Sequence, residues 1–123
     1  KVYGTDVLAS GEVMRATADR FLWRGVDRVV AAGTTGTLDL HEPLAARDDP
    51  AAVAEFAGFL EHWDAARADY GAGRFGEALA GFQAAAARRP DDGPCRVFIA
   101  RCTGLLDRGV QPGWDGIWRH DRK

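Results

Sequence analysis

Between Phe56 and Pro90 the apolar positions recur twice at helical spacing. Phe56, Leu60, Trp63 and Tyr70 stand three, four or seven residues apart and share one helix face. After a break at Gly71 and Gly73, the positions Phe75, Ala78, Leu79, Phe82 and Ala85 form a second such face. Small alanines beside large rings let two helices approach closely while the rings fill the gap between them. A third seam follows at Cys95, Phe98, Cys102 and Leu105, in steps of four and three. Asp49-Pro50 and Asp91-Asp92-Gly-Pro94 each put a carboxylate at a cap and a proline in the first turn. Arg88 and Arg89 complement a C-terminal dipole. The pattern predicts helices over roughly 50–72, 75–89 and 94–107.

The first third of the chain has a different rhythm. Val2 to Leu8 reads as a short strand, and Ser10 as the N-cap of a helix with Glu12 in its first turn. That helix is expected to turn Val13, Met14 and Thr17 inward and to end near Asp19. Phe21-Leu-Trp23 is extended, and Asp27–Ala32 and Thr37–Glu42 form two strands about Gly33-Thr-Thr-Gly36. Leu38 and Leu40 alternate with Asp39 and His41, which predicts one wet sheet face. Pro43 is expected to stop the ladder, and Leu44–Asp49 to be a polar linker. The fold class is therefore α+β.

Composition narrows the function. The chain is 46% hydrophobic and 28% charged, with a net charge of −2 and no basic run, so nucleic acid is not an expected partner. Fourteen arginines stand against two lysines, and their spacing along helix faces predicts that they are solvated. No apolar run approaches the roughly 20 residues of a membrane span, and no signal peptide is visible, so a cytoplasmic location is expected. The first residue, Lys1, and the abrupt Val2-Tyr3-Gly4 opening suggest a piece cut from a longer protein. Cys95 and Cys102, seven apart on one helix, lie about 10 Å apart along its axis and cannot pair while it holds. They read as buried thiols. His41, His62 and His120 have no metal-ligand spacing to each other or to the cysteines. His62 between Glu61 and Asp64 resembles a base only superficially, because such charges on a helix face are ordinarily solvated.

Two resemblances go further. Phe75-Gly-Glu-Ala78, Phe82, Ala85 and Pro90 resemble the second half of a tetratricopeptide repeat, with Trp63 and Tyr70 similar to the aromatic pair of its first half. A single repeat cannot bury its own face, so Phe98 and its helix are expected to complete a core with Trp63, Tyr70, Phe75, Ala78 and Phe82. The words Tyr3-Gly-Thr-Asp-Val-Leu-Ala-Ser-Gly-Glu, Asp19-Arg-Phe21, Asp27-Arg-Val-Val-Ala-Ala-Gly33 and Leu40-His-Glu-Pro-Leu44 resemble the end of class III nucleotide cyclase domains, chiefly bacterial adenylyl cyclases. Pro90-Asp-Asp-Gly-Pro94, Arg101-Cys102, Trp114-Asp-Gly-Ile117 and Lys123 are similar to an extension that many such cyclases carry. The resemblance implies cyclase sequence over 1–44 as part of a ferredoxin-like sheet, a linker at 45–49, a tetratricopeptide-like extension over 50–109 and a tail over 110–123.

Cyclases of this class convert ATP to cyclic AMP and pyrophosphate at a dimer interface, with two aspartates holding two Mg²⁺ or Mn²⁺ ions. The resemblance places those aspartates, the transition-state Asn and Arg and the base-reading residues upstream of Lys1. It implies no catalytic residue, metal or cofactor in this chain, and the upstream cyclase domain and a second copy as partners. Lysines flanking the hairpin glycine can reach the triphosphate in that family. Here Ala32 and Thr34 flank Gly33, so the phosphate turn is degenerate. The competing expectations are a protein-interaction module receiving a partner segment on the helical hairpin, and a non-catalytic cyclase domain kept for dimerisation or regulation. An uncovered Val2–Leu8 edge would favour pairing between copies. Trp114 and Trp118, four apart in a Gly- and Pro-containing tail, are expected to dock on the helical unit or its junction with the sheet.

Overall fold

In a computed structural model the described residues are 3, 8–30, 36–109 and 112–119. They form a mixed α+β structure with a four-stranded sheet and four helices. The chain divides into two compact units, one of residues 1–6 and 57–116 and one of residues 7–56 and 117–123.

The sheet unit begins with β1 (Ala9–Ser10) and α1 (Gly11–Ala16). Ser10 caps α1, its Oγ accepting from Val13 N at 3.4 Å. The helix stops at Ala16 rather than near Asp19, because Thr17 leaves helical geometry and its Oγ1 donates back to the Val13 carbonyl at 2.8 Å. Val13 is half exposed, and Met14 and Thr17 are only partly buried, so the face expected to turn inward is not a buried one. Of the strand expected at Val2–Leu8, residues 2 and 4–7 lie outside the described set, while Tyr3 is in a turn and Leu8 is not in a strand.

The hairpin is longer than its alternation suggested. β2 runs Phe21–Val30 without interruption, and β3 runs Thr37–Ala46, through Pro43. Pro43 faces Trp23 where the register slips between Leu22 and Trp23. On its other side β1 reaches only Leu40 and His41. The missing N–H therefore falls at an irregularity in one ladder and beyond the end of the other, where it costs little. Ala45 and Ala46, expected in a linker, pair with Leu22 and Phe21. The sheet order is β1-β3-β2-β4, with β4 (Trp118–Arg119) parallel to β2.

The helical unit takes most of α2 (Pro50–Gly71), whose residues 50–56 group with the sheet unit, together with α3 (Phe75–Arg88) and α4 (Gly93–Arg108). Asp49 caps α2, Oδ1 accepting from Ala52 N at 3.2 Å, and Asp92 caps α4, Oδ2 accepting from Cys95 N at 3.0 Å. Between α2 and α3, Gly73 takes φ +83°, which L side chains rarely adopt, and the chain reverses in a few residues. The core is Phe59, Trp63, Ala66, Tyr70, Phe75, Ala78, Phe82, Ala85, Cys95, Phe98, Cys102 and Leu105, all buried.

The close approach of α2 and α3 rests on one missing methyl group. A Cβ at Gly81 would lie 2.8 Å from Ala66 Cβ and 3.3 Å from its Cα, whereas one at Gly76 meets nothing within 4 Å. Alanine gains up to about 1 kcal/mol of helix propensity over glycine, but overpacking costs about 1–3 kcal/mol. Thermal unfolding should therefore show Gly81→Ala destabilised and Gly76→Ala neutral or stabilised, opposite signs for one chemical change.

Candidate functional site

Two constellations of polar and aromatic groups stand out. The first lies on the hairpin. Arg24 on β2 is 1% exposed and faces Glu42 on β3. Its Nε donates to Glu42 Oε1 at 3.0 Å and its Nη2 to the same oxygen. The irregularity between Gly25 and Asp27 makes Val26 the extra residue, so Asp27, opposite Leu40, returns to the Arg24 face. Asp27 is also buried, and its Oδ1 accepts from Arg28 N at 2.8 Å. On the opposite face Arg28 and Asp39 are exposed and joined at 2.7 Å, a contact that raises the Arg28 pKa above its ordinary value. Asp39 is exposed as expected, whereas His41, assigned to the same face, is half-buried, and Leu38, assigned to the other, is 39% exposed. The other face was expected to be apolar and instead holds charges.

Burial of Arg24 corrects the expectation that the arginines are solvated, as does burial of Arg101. Nothing in local composition marks either one. Arg24 carries a signal only in retrospect, since alternation along β2 puts it in phase with Val26, and Glu42 lies directly across the ladder.

The second constellation is the aromatic centre of the helical unit. Phe98 on α4 has the rings of Trp63, Tyr70 and Phe82 at 5.4, 5.0 and 5.0 Å between centroids. The Arg67 guanidinium lies over Phe98 at 5.2 Å and over Tyr70 at 5.6 Å. Trp114 completes the cluster, 5.2 Å edge-on from both Tyr70 and Phe75, with Nε1 donating to the Tyr70 carbonyl at 2.8 Å. Gly116, at φ +80°, passes close to α2, where a Cβ would come within 3.3 Å of Gly71 Cα. Trp118 takes a separate place, in β4 opposite Val29.

Cys95 and Cys102 are buried and form no disulfide. Burial pushes the Cys102 thiol up to about 11 despite the opposing charge of Arg101. At neutral pH it is a packed thiol and not a nucleophile. Among the described residues no three His, Cys, Asp or Glu side chains gather into a cation site. His62 is half-buried on α2, with Glu61 and Asp64 exposed. The degenerate turn Ala32, Gly33 and Thr34 lies outside the described residues.

Two substitutions test these clusters. Glu42→Ala removes the carboxylate that faces a buried guanidinium, whereas Arg24→Met removes the charge together with its burial cost, so chemical denaturation should show Glu42→Ala to be the more destabilised of the two. Trp114→Ala should destabilise the helical unit by about 3–5 kcal/mol. An unchanged melting temperature for a chain lacking residues 110–123 would show that Trp114 does not hold the unit.

No family model, no curated protein and no solved structure matches this chain.

Proposed function

We propose that this chain is the closing section of a class III adenylyl cyclase, the last strands and helix of the catalytic domain joined to a tetratricopeptide-like extension. The observation that carries the reading is the order of the matched words along the chain, Tyr3-Gly-Thr through Asp19-Arg-Phe21 and Leu40-His-Glu to Trp114-Asp-Gly-Ile117. The order of elements supports it: a short helix capped by Ser10 precedes an antiparallel hairpin, and three helices follow. In this reading the sheet is the end of a ferredoxin-like cyclase sheet. The parent makes cyclic AMP and pyrophosphate from ATP with two divalent ions held upstream of Lys1. The section described here contributes structure and regulation, its partners being that upstream domain and a second copy.

A non-catalytic cyclase domain is the second reading, favoured by Ala32 and Thr34 standing where the family's triphosphate-reaching lysines fall. An interaction module is less well supported. The aromatic face such a module would offer is occupied from within by Trp114.

The sequence encoded immediately before Lys1 and an assay of the protein that contains it decide between these. An Asn-x-x-x-Arg motif with two aspartates further upstream, and cyclic AMP formed from ATP with Mn²⁺, are expected. Cyclase sequence with those residues replaced would mean the regulatory domain, and unrelated sequence there would overturn both. The isolated chain should give no cyclic AMP above blank, because the groups that bind metal and stabilise the transition state lie elsewhere. Turnover lost on mutating a residue of this chain would place the active site within it.

A further inference from the structure

Helix α4 buries one face in the aromatic centre and leaves the opposite one uncovered. Arg96, Ile99, Ala100, Thr103, Leu106 and Asp107 fall within about 120° of arc on that second face, at 3.6 residues per turn. Ile99 is half-buried, the other five are exposed, and Leu106 is exposed to 47%. Thr103 donates its hydroxyl to the Ile99 carbonyl at 2.8 Å, so that polar group is satisfied within the helix. Beside this face a groove of about 400 Å³ runs between α3 and α4, lined by Leu79, Thr103, Gly104, Leu106 and Asp107. Trp114 does not fill it, being engaged with Tyr70 and Phe75. Neither Arg96 nor Asp107 has an ion-pair partner among the described residues.

We infer that this face of α4 receives a second copy of the chain, the two α4 helices lying antiparallel across a twofold axis. The order of charges along the face points to that occupant. A twofold interface must complement itself, and this face carries a cation at one end, Arg96, and an anion at the other, Asp107. An axis passing between Arg101 and Cys102 sets Arg96 of each copy against Asp107 of the other, so the same pair forms twice. It also sets Ala100 against Thr103, and brings Ile99 of one copy to the groove beside Thr103 and Gly104 of the other. Ala100 and Thr103 are short enough for the two axes to come within the about 8–10 Å of close helix packing. A parallel arrangement would instead put Arg96 on Arg96 and Asp107 on Asp107, which like-charge repulsion disfavours. The antiparallel one adds the attraction of opposed helix dipoles. The interface stands on α4 and its groove alone and does not rest on the cyclase reading, which calls for a second copy but assigns it no surface.

Sedimentation velocity on the full chain over a range of concentrations reads the interface directly, and a reversible monomer–dimer equilibrium is expected. Arg96→Glu and Asp107→Arg each place like charges at both ends of the twofold pair. Two attractions become two repulsions, so each variant should raise the dimer Kd about tenfold or more. An equimolar mixture of the two variants should recover the dimer, because in the mixed pair both ends again join opposite charges. A chain that stays monomeric at every concentration overturns the proposal and leaves the face to a different partner. A dimer that neither swap weakens lies on another surface, such as a sheet edge, and overturns it too. A mixture that stays monomeric overturns the antiparallel pairing. Far-UV circular dichroism should be unchanged in both variants, since both side chains are exposed. If a swap lowers the helical signal, Ala100→Glu at the exposed centre decides: a folded monomer supports the interface and a folded dimer overturns it.

Discussion

The Phe98 ring is the contact on which the helical unit depends. Trp63 and Tyr70 reach it from α2 and Phe82 from α3, each centroid within about 5.4 Å. Three helices thus meet on one side chain. Trp63 and Tyr70 meet it edge-to-face and Phe82 at a tilt, and aromatic pairs contribute about 0.5–1.5 kcal/mol each beyond the area they bury. They do so only if the backbones come close enough, which is why Gly81 lies against Ala66. The hairpin α2–α3 has too little surface to close such a core by itself. Helix α4 supplies the third wall, and Trp114 the cover over Tyr70 and Phe75.

How legible was this in the sequence? The helices were, because periodicity, caps and prolines agreed with one another. Asp49 and Asp92 each accept from the backbone three residues on, and Gly73 has the positive φ that ends α2. Agreement across levels is what lets a local pattern specify structure. The docking of Trp114 was legible for a simpler reason, since a large ring in a short tail has much apolar area to hide. Which tryptophan would go where was not. Trp114 packs on helices while Trp118 joins a strand, and the two share the same local composition.

The sheet is less legible in the sequence than the helices are, for one physical reason. Alternation predicts faces only while register is unbroken, and this hairpin slips twice, between Leu22 and Trp23 and between Gly25 and Asp27. One slip lets β3 carry Pro43 and run on to Ala46. The other brings Asp27 onto the face of Arg24, so that a buried face holds charges. A one-residue change of register moves every later side chain to the other face, and no local pattern announces where it falls. Buried ions then follow from geometry set across two strands, beyond the reach of any window on one.

The excess of arginine over lysine also takes a different meaning in the structure. As a charge statistic it predicts solvated helix faces. In the fold, guanidinium groups are used for their shape: Arg24 directs two nitrogens at one Glu42 oxygen, Arg67 lies over Tyr70 and Phe98, Arg89 over Phe59, and Arg101 over Tyr3 and Phe98. Away from the rings, Arg47 Nε donates to the Ala18 carbonyl at 2.7 Å. A lysine ammonium is a compact, strongly hydrated charge that cannot cover a ring face while donating in its own plane. Lysine at Arg24 or Arg101 would keep the charge and lose the fit, so the substitution conservative by charge is not conservative by packing. Three of the fourteen arginines, Arg67, Arg89 and Arg101, thus help to close this small core as flat cations laid on aromatic rings.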